Sequence, residues 1–120
     1  MMRALALSIA ALAIGAAARV PALAGGGGGC HMPSTDARGT TVAMQDACFA
    51  PTVIRVAPGT SVTWVNRDAM LHSVVRAGTQ LVGQANGAGT SFKAQFSRPG
   101  VYPYYCAQHP GMIGAIVVGD

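Results

Sequence analysis

The feature that most narrows what this chain can fold into lies near its C-terminus, in "YYCAQHPGMIGAIVV". Cys106, His109 and Met112 follow one another at intervals of three, so a thiol, an imidazole and a thioether fall within seven residues. That spacing would put all three on one helical face, but Pro110 and Gly111 argue against a helix. The residue before a proline is pushed toward extended backbone, which leaves His109 in a loop. The run that precedes the loop alternates as a strand does, with Tyr102, Tyr104 and Cys106 on one face. A tight loop at a strand end can turn three side chains toward one point. Taken singly, each residue has a plainer role as half of a disulfide, a surface or core histidine, or a core-filling methionine. Their joint spacing favours a ligand set.

The rest of the chain reads as short strands. From Thr40 onward, runs rich in Val, Thr, Ile and aromatics recur between Gly, Pro and Asn/Asp signals. The pattern predicts strands at Thr40–Gln45, Thr52–Val56, Thr60–Val65, His72–Arg76, Thr90–Phe96, Val101–Cys106 and Ile113–Val118. Val62 and Trp64 share one face of their strand, and Phe92, Ala94 and Phe96 one face of theirs. "APGT" at 57–60 and "RPG" at 98–100 are turns. No segment keeps a helical period, so the expected class is an all-β sandwich. Two stretches fit less well. Pro103 sits inside a predicted strand although it cannot donate to a ladder. Residues 77–90, "AGTQLVGQANGAGT", read as a Gly-rich loop with one weak strand near 80–82.

Residues 1–24, "MMRALALSIAALAIGAAARVPALA", read as a secretory signal peptide. Arg3 supplies a basic start, an Ala-rich apolar stretch follows, and Ala22-Leu23-Ala24 is a cleavage signal. The apolar stretch is too short and weak for a membrane span, and none is expected after the signal is removed. Residues 25–39 read as a Gly-rich flexible linker or arm, opening with five glycines, and 40–120 as the single domain. Without Arg3 and Arg19 the chain keeps six basic residues against four acids, a net charge of +2. That is too weak for nucleic acid or a polybasic membrane patch. The expected location is outside the cytoplasm, periplasmic or extracellular.

A soft thiolate, an imidazole and a thioether exclude hard ions, and zinc rarely takes a thioether. Two His and one Cys with a long axial Met make the ligand set of blue-copper electron-transfer sites. The second His should come from another strand. His31 and His72 are the candidates, and His72 is favoured because it sits where the chain re-enters a strand rather than in a flexible arm.

At this point a resemblance is plain. "VAPGTSVTWVNRDAMLHSVV" together with "YYCAQHPGMIGAIVV" resembles the cupredoxins, especially the amicyanin and plastocyanin-like members, over about Thr40–Gly119. It implies a Greek-key sandwich of seven to eight strands and a type 1 copper site with His72, Cys106, His109 and Met112 as ligands of one copper ion, Cu(I) or Cu(II). It also implies a one-electron carrier working as a monomer, with transient redox partners docking on an apolar patch around His109 formed by Pro110, Gly111 and Ile113. The family usually has Asn directly after the first His, where it ties the two ligand loops together; this chain has Ser73.

The alternative function is a copper carrier or store that delivers the ion outside the cytoplasm. An enzyme is not expected, because the chain has no carboxylate pair, no Ser-His-Asp set, no phosphate loop and no Glu at all. With Cys106 assigned to copper, Cys30 and Cys48 remain. An exported chain with an even remainder points to a disulfide between them. The rivals are lipidation of Cys30, for which Gly27 is the wrong residue three positions earlier, and a second metal site with His31. The plainer reading of His31 is a solvated loop residue.

Overall fold

The computed structural model describes residues 29–119; the expected signal at 1–24 and the first glycines lie outside the described residues. In chain order the strands are β1 (Asp36–Arg38), β2 (Thr41–Gln45), β3 (Cys48–Ala50), β4 (Val53–Val56), β5 (Thr60–Asn66), β6 (Leu71–Arg76), β7 (Gln80–Asn86), β8 (Ser91–Phe96), β9 (Gly100–Tyr105) and β10 (Ile113–Val118). They form two sheets, a large one in the order β1-β4-β10-β9-β6-β7 and a small one in the order β3-β2-β5-β8. The expected all-β sandwich is present, and all seven predicted strands are found within a residue or so of their expected ends.

The core follows from alternation. Val42 and Met44 on β2, Val62 and Trp64 on β5, Ile54 and Val56 on β4, and Ile116 and Val118 on β10 point between the sheets and are buried. Trp64 is the centre of the packing. Phe92 stacks on it at 5.4 Å, and Phe96 and Tyr104 meet it edge-on at 6.2 and 5.7 Å.

Besides the seven strands located in the sequence there are three more, giving ten among the described residues against the seven to eight expected. β1 and β3 have three residues each, too few for any period to show. β7 spans the stretch expected to be mostly loop. The weak strand expected near 80–82 is the start of it, and Gly83 has a reason to be there: a Cβ at that position would lie 2.3 Å from Phe92 Cδ2. The glycine lets β7 approach the ring that covers Trp64.

The expected disulfide between Cys30 and Cys48 on β3 is present, but the arm is not a flexible linker over 29–39: β1 pairs in parallel with β4. β3 belongs to the small sheet and β1 to the large one, so the arm joins the two sheets along one side of the sandwich. Polar composition masked this, because the strand is held by its backbone and by Arg55, whose guanidinium makes two 2.9 Å bonds to the Asp36 carboxylate.

Pro103 is accommodated by register. It faces Ala115 on β10, and Ala115 directs its N–H the other way, to Thr52 O on the β4 side at 2.9 Å. Pro103 and Ala115 are therefore a non-hydrogen-bonded pair, and the missing N–H points toward β6. There β6 pairs only with Tyr104 and Tyr105, so no ladder bond is lost.

Candidate metal centre

β6 and β9 lie side by side, and this adjacency builds the site. Val75 pairs with Tyr105, so the buried start of β6 stands beside Cys106 at the end of β9. The β9–β10 connection then folds back on itself. Cys106 N–H donates to Met112 O at 2.9 Å, and Met112 N–H to His109 O at 3.0 Å. Gly111 makes the turn with a φ of 88°, a conformation that glycine adopts freely.

Within this frame one donor atom each from His72, Cys106 and His109 lies within 4.8 Å of the others, and no other such group of three occurs among the described residues. His72 Nδ1 is 3.7 Å and His109 Nδ1 3.5 Å from Cys106 Sγ. The two rings are 4.7 Å apart between centroids. His72 and Cys106 are buried, and His109 is half-buried with one edge toward solvent. Met112 is fully buried and belongs to the core cluster, and its backbone is tied to Cys106 and His109 by the two bonds above. His31, the other candidate, is exposed on the arm. It lines a shallow hollow with Asp68, Met70 and His109 but is not part of the cluster.

His72 is held on its far side. Its Nε2 is 2.6 Å from Asp68 Oδ2, which leaves Nδ1 as the nitrogen facing the sulfur. Asp68 is positioned in turn. Burial raises its carboxyl pKa, but the bond from His72 and the N–H groups of Asp46 and Ala47 outweigh that and hold it below its ordinary value. Asp46 and Ala47 form the β2–β3 turn, both at positive φ (53° and 56°). Successive N–H groups in such a turn make a small anion-binding concavity. Asn66 closes the same loop from within: its side-chain N–H groups donate to Met70 O and Ala85 O, and its Oδ1 accepts from Asp68 N–H.

Burial lowers the His109 pKa, and the nearby His72 lowers it further, while Asp68 pulls the other way. The net effect favours a neutral imidazole, the form that can ligate a metal.

Ser73 stands where an Asn was expected by resemblance. Its hydroxyl accepts the Ala107 N–H at 3.0 Å, so the two loops are tied through a serine. Its own N–H points at Cys106 Sγ at 3.5 Å. The arm reaches the site as well. A Cβ on Gly29 would meet Pro110 O at 3.0 Å, and one on Gly111 would meet Gly29 Cα at 3.2 Å, so arm and loop touch backbone to backbone.

The sequence reading missed Asn66, Asp68 and Gln108. Asn66-x-Asp68 carries an Asx-turn signature, which was available as a signal. Gln108 had none.

The donor chemistry suits copper. One sulfur of thiolate type and two imidazoles, with a thioether at hand, match a soft-to-borderline ion that accepts a trigonal set, and no carboxylate enters the cluster for a hard ion.

Comparison with known proteins agrees. The family model for copper-binding proteins of the plastocyanin/azurin family matches residues 37–119. Amicyanin-alpha of Methylorubrum extorquens is 33% identical over 98% of this chain and 99% of its own length. Among solved structures, a reduced amicyanin variant is 30% identical with a TM-score of 0.58, covering 66% of this chain and 80% of that one. The copper-containing nitrite reductase of Thermus scotoductus SA-01 is 30% identical with a TM-score of 0.61, covering 68% of this chain but only 22% of that one. The chain belongs to the plastocyanin/azurin family of copper-binding proteins.

Proposed function

We propose that His72 and His109 through Nδ1, Cys106 through Sγ and Met112 through its thioether hold one copper ion, and that the chain is an exported one-electron carrier rather than an enzyme. The observation that carries the reading is the convergence of His72, Cys106 and His109 donor atoms within 4.8 Å. Bound there, copper supplies a one-electron couple between Cu(I) and Cu(II).

The protein's part is to keep the donors still. Asp68 fixes His72, the bond between Cys106 N–H and Met112 O closes the loop, and Ser73 holds Ala107. Ligands fixed by their surroundings move little when the charge at the site changes, which keeps the reorganisation on electron transfer small. The buried sulfur and His72 are shielded from water, and the outer edge of His109 gives electrons a route to the surface. Met70 is exposed and lines the same hollow as His109, and Ile113, next in the chain to Met112, is exposed too; they provide apolar contact area for small, transient encounters between redox proteins. Burial of Cys106, His72 and Met112 suits a centre that keeps its ion, whereas a copper-delivery protein needs open ligands that release it.

The test is metal loading. The protein without its leader should take up one copper per chain and turn intensely blue when oxidised. Cys106→Ser should abolish the colour. A Cys106→Ser protein that keeps the strong visible band would overturn the ligand assignment.

A further inference from the structure

Gln108 lies on the exposed side of the ligand loop, yet its amide is turned inward. Its Oε1 position is 2.8 Å from Ser73 Oγ and 3.4 Å from Cys106 Sγ. Ser73 Oγ is 4.0 Å from the same sulfur and already accepts the Ala107 N–H. Gln108, Ser73 and Cys106 thus form a closed triangle of polar atoms over a sulfur that is buried.

The triangle has two consistent arrangements. With a proton on Cys106, the thiol and the Ser73 hydroxyl both donate to the Gln108 carbonyl oxygen. A metal-bound sulfur has no proton to give and can only accept. Rotating the Gln108 amide by half a turn exchanges its oxygen for its NH2, atoms of nearly equal size. The two amide hydrogens then serve Cys106 Sγ and Ser73 Oγ. Ser73 Oγ accepts from Ala107 and from Gln108, and its own hydrogen is free for the sulfur. Every donor and acceptor in the triangle is used, and none is left buried and unpaired.

We propose that Gln108, through this turned amide and together with Ser73, is a positioning residue that donates a side-chain hydrogen bond to the Cys106 sulfur and so sets the reduction potential of the centre. This deepens the copper-carrier reading and rests on Cys106 as a ligand. Hydrogen bonds to the sulfur draw off electron density and stabilise the state with less positive metal charge, which is the reduced one. A donor at Gln108 raises the potential, and its removal lowers it. Gln108 also covers the sulfur, so the test must separate lost donation from water entry.

Gln108→Met does this, because it fills similar volume and brings no N–H. Ser73→Ala and Gln108→Glu complete the set. The readouts are reduction potential by voltammetry and the position of the sulfur-to-copper charge-transfer band. Gln108→Met should stay blue, with a lowered potential and a band moved to longer wavelength, since the sulfur lone pairs rise in energy. Gln108→Glu, which adds a negative charge and cannot donate when ionised, should lie lower still. Ser73→Ala should also fall. A wild-type protein that takes up copper without turning blue would overturn the ligand reading itself. A blue wild type with a Gln108→Met variant of unchanged or higher potential would overturn the role of Gln108 and leave the ligand reading standing.

Discussion

Asp68 Oδ2 stands 2.6 Å from His72 Nε2, and the β2–β3 turn holds it there. The orientation of one proposed ligand is therefore set by a hairpin in the other sheet. Partners that orient a ligating His are typically worth about 10–100-fold in metal affinity. Asp68→Ala should lower copper affinity by about that factor. Asp68→Asn, which keeps an oxygen acceptor, should fall in between. Competition titration against a chelator measures both, and an Asp68→Ala protein that binds as tightly as wild type would show that His72 needs no such support.

Met112 offers a separate test of the shuttle. A long axial thioether holds the ion weakly but biases Cu(I) against Cu(II). Met112→Leu should leave the protein blue with a raised potential, and Met112→Gln should lower it by offering an oxygen donor. Swapping Met for Leu in a packed core costs under about 1.5 kcal/mol, so the fold survives. Copper that is lost, with no ordered change in potential, would instead indicate a delivery protein.

Removing the Cys30–Cys48 disulfide by the double change Cys30→Ser, Cys48→Ser should lower stability by about 2–4 kcal/mol, read from urea unfolding. The arm meets Pro110 and Gly111 at Gly29, and Cys48 directly follows the turn that holds Asp68. The double variant should therefore also bind copper less tightly than wild type. Equal affinity would mean that arm and turn keep their places without the bridge.

Gly83→Ala tests the β7 approach. The added methyl would press on Phe92, which stacks on Trp64, and overpacking of this kind costs about 1–3 kcal/mol. Trimming the ring with Phe92→Leu should make the same Gly83 change cheaper. A double-mutant cycle by thermal unfolding reads that coupling. Additive effects would place the strain elsewhere.

Much of this was legible in the chain. Alternation in "VTWV", "FKAQF" and "YPYYC" marked strands because burial on one face leaves a period of two. The ligand loop stood out because three metal-binding side chains are rare at such density. β1 and β3 were hidden because three residues show no period, and β7 showed only as a weak strand at 80–82 because its one glycine, Gly83, serves a close approach while Gly78, Gly87 and Gly89 around it make turns. Asp68 and Gln108 escaped notice for another reason. Their roles depend on which atoms face the site across strands and loops, and neither occupies one of the three-residue-spaced ligand positions. The contact between Gly29 and Gly111 is likewise a matter of three-dimensional proximity between distant, featureless positions.

The short strands β1 and β3 bear on how the molecule behaves in a crowd. Backbone at the margin of a sheet invites another chain to add itself there. Here one margin of each sheet is a three-residue stub. One stub carries Asp36 in the grip of Arg55, and the other is bridged to the arm through Cys48. At the opposite margin of the large sheet, β7 packs against β8. A newcomer strand finds few bare amides in register to template on. The ordered arm thus gives the sandwich colloidal protection along that side, so that crowded copies can collide and part without zipping together.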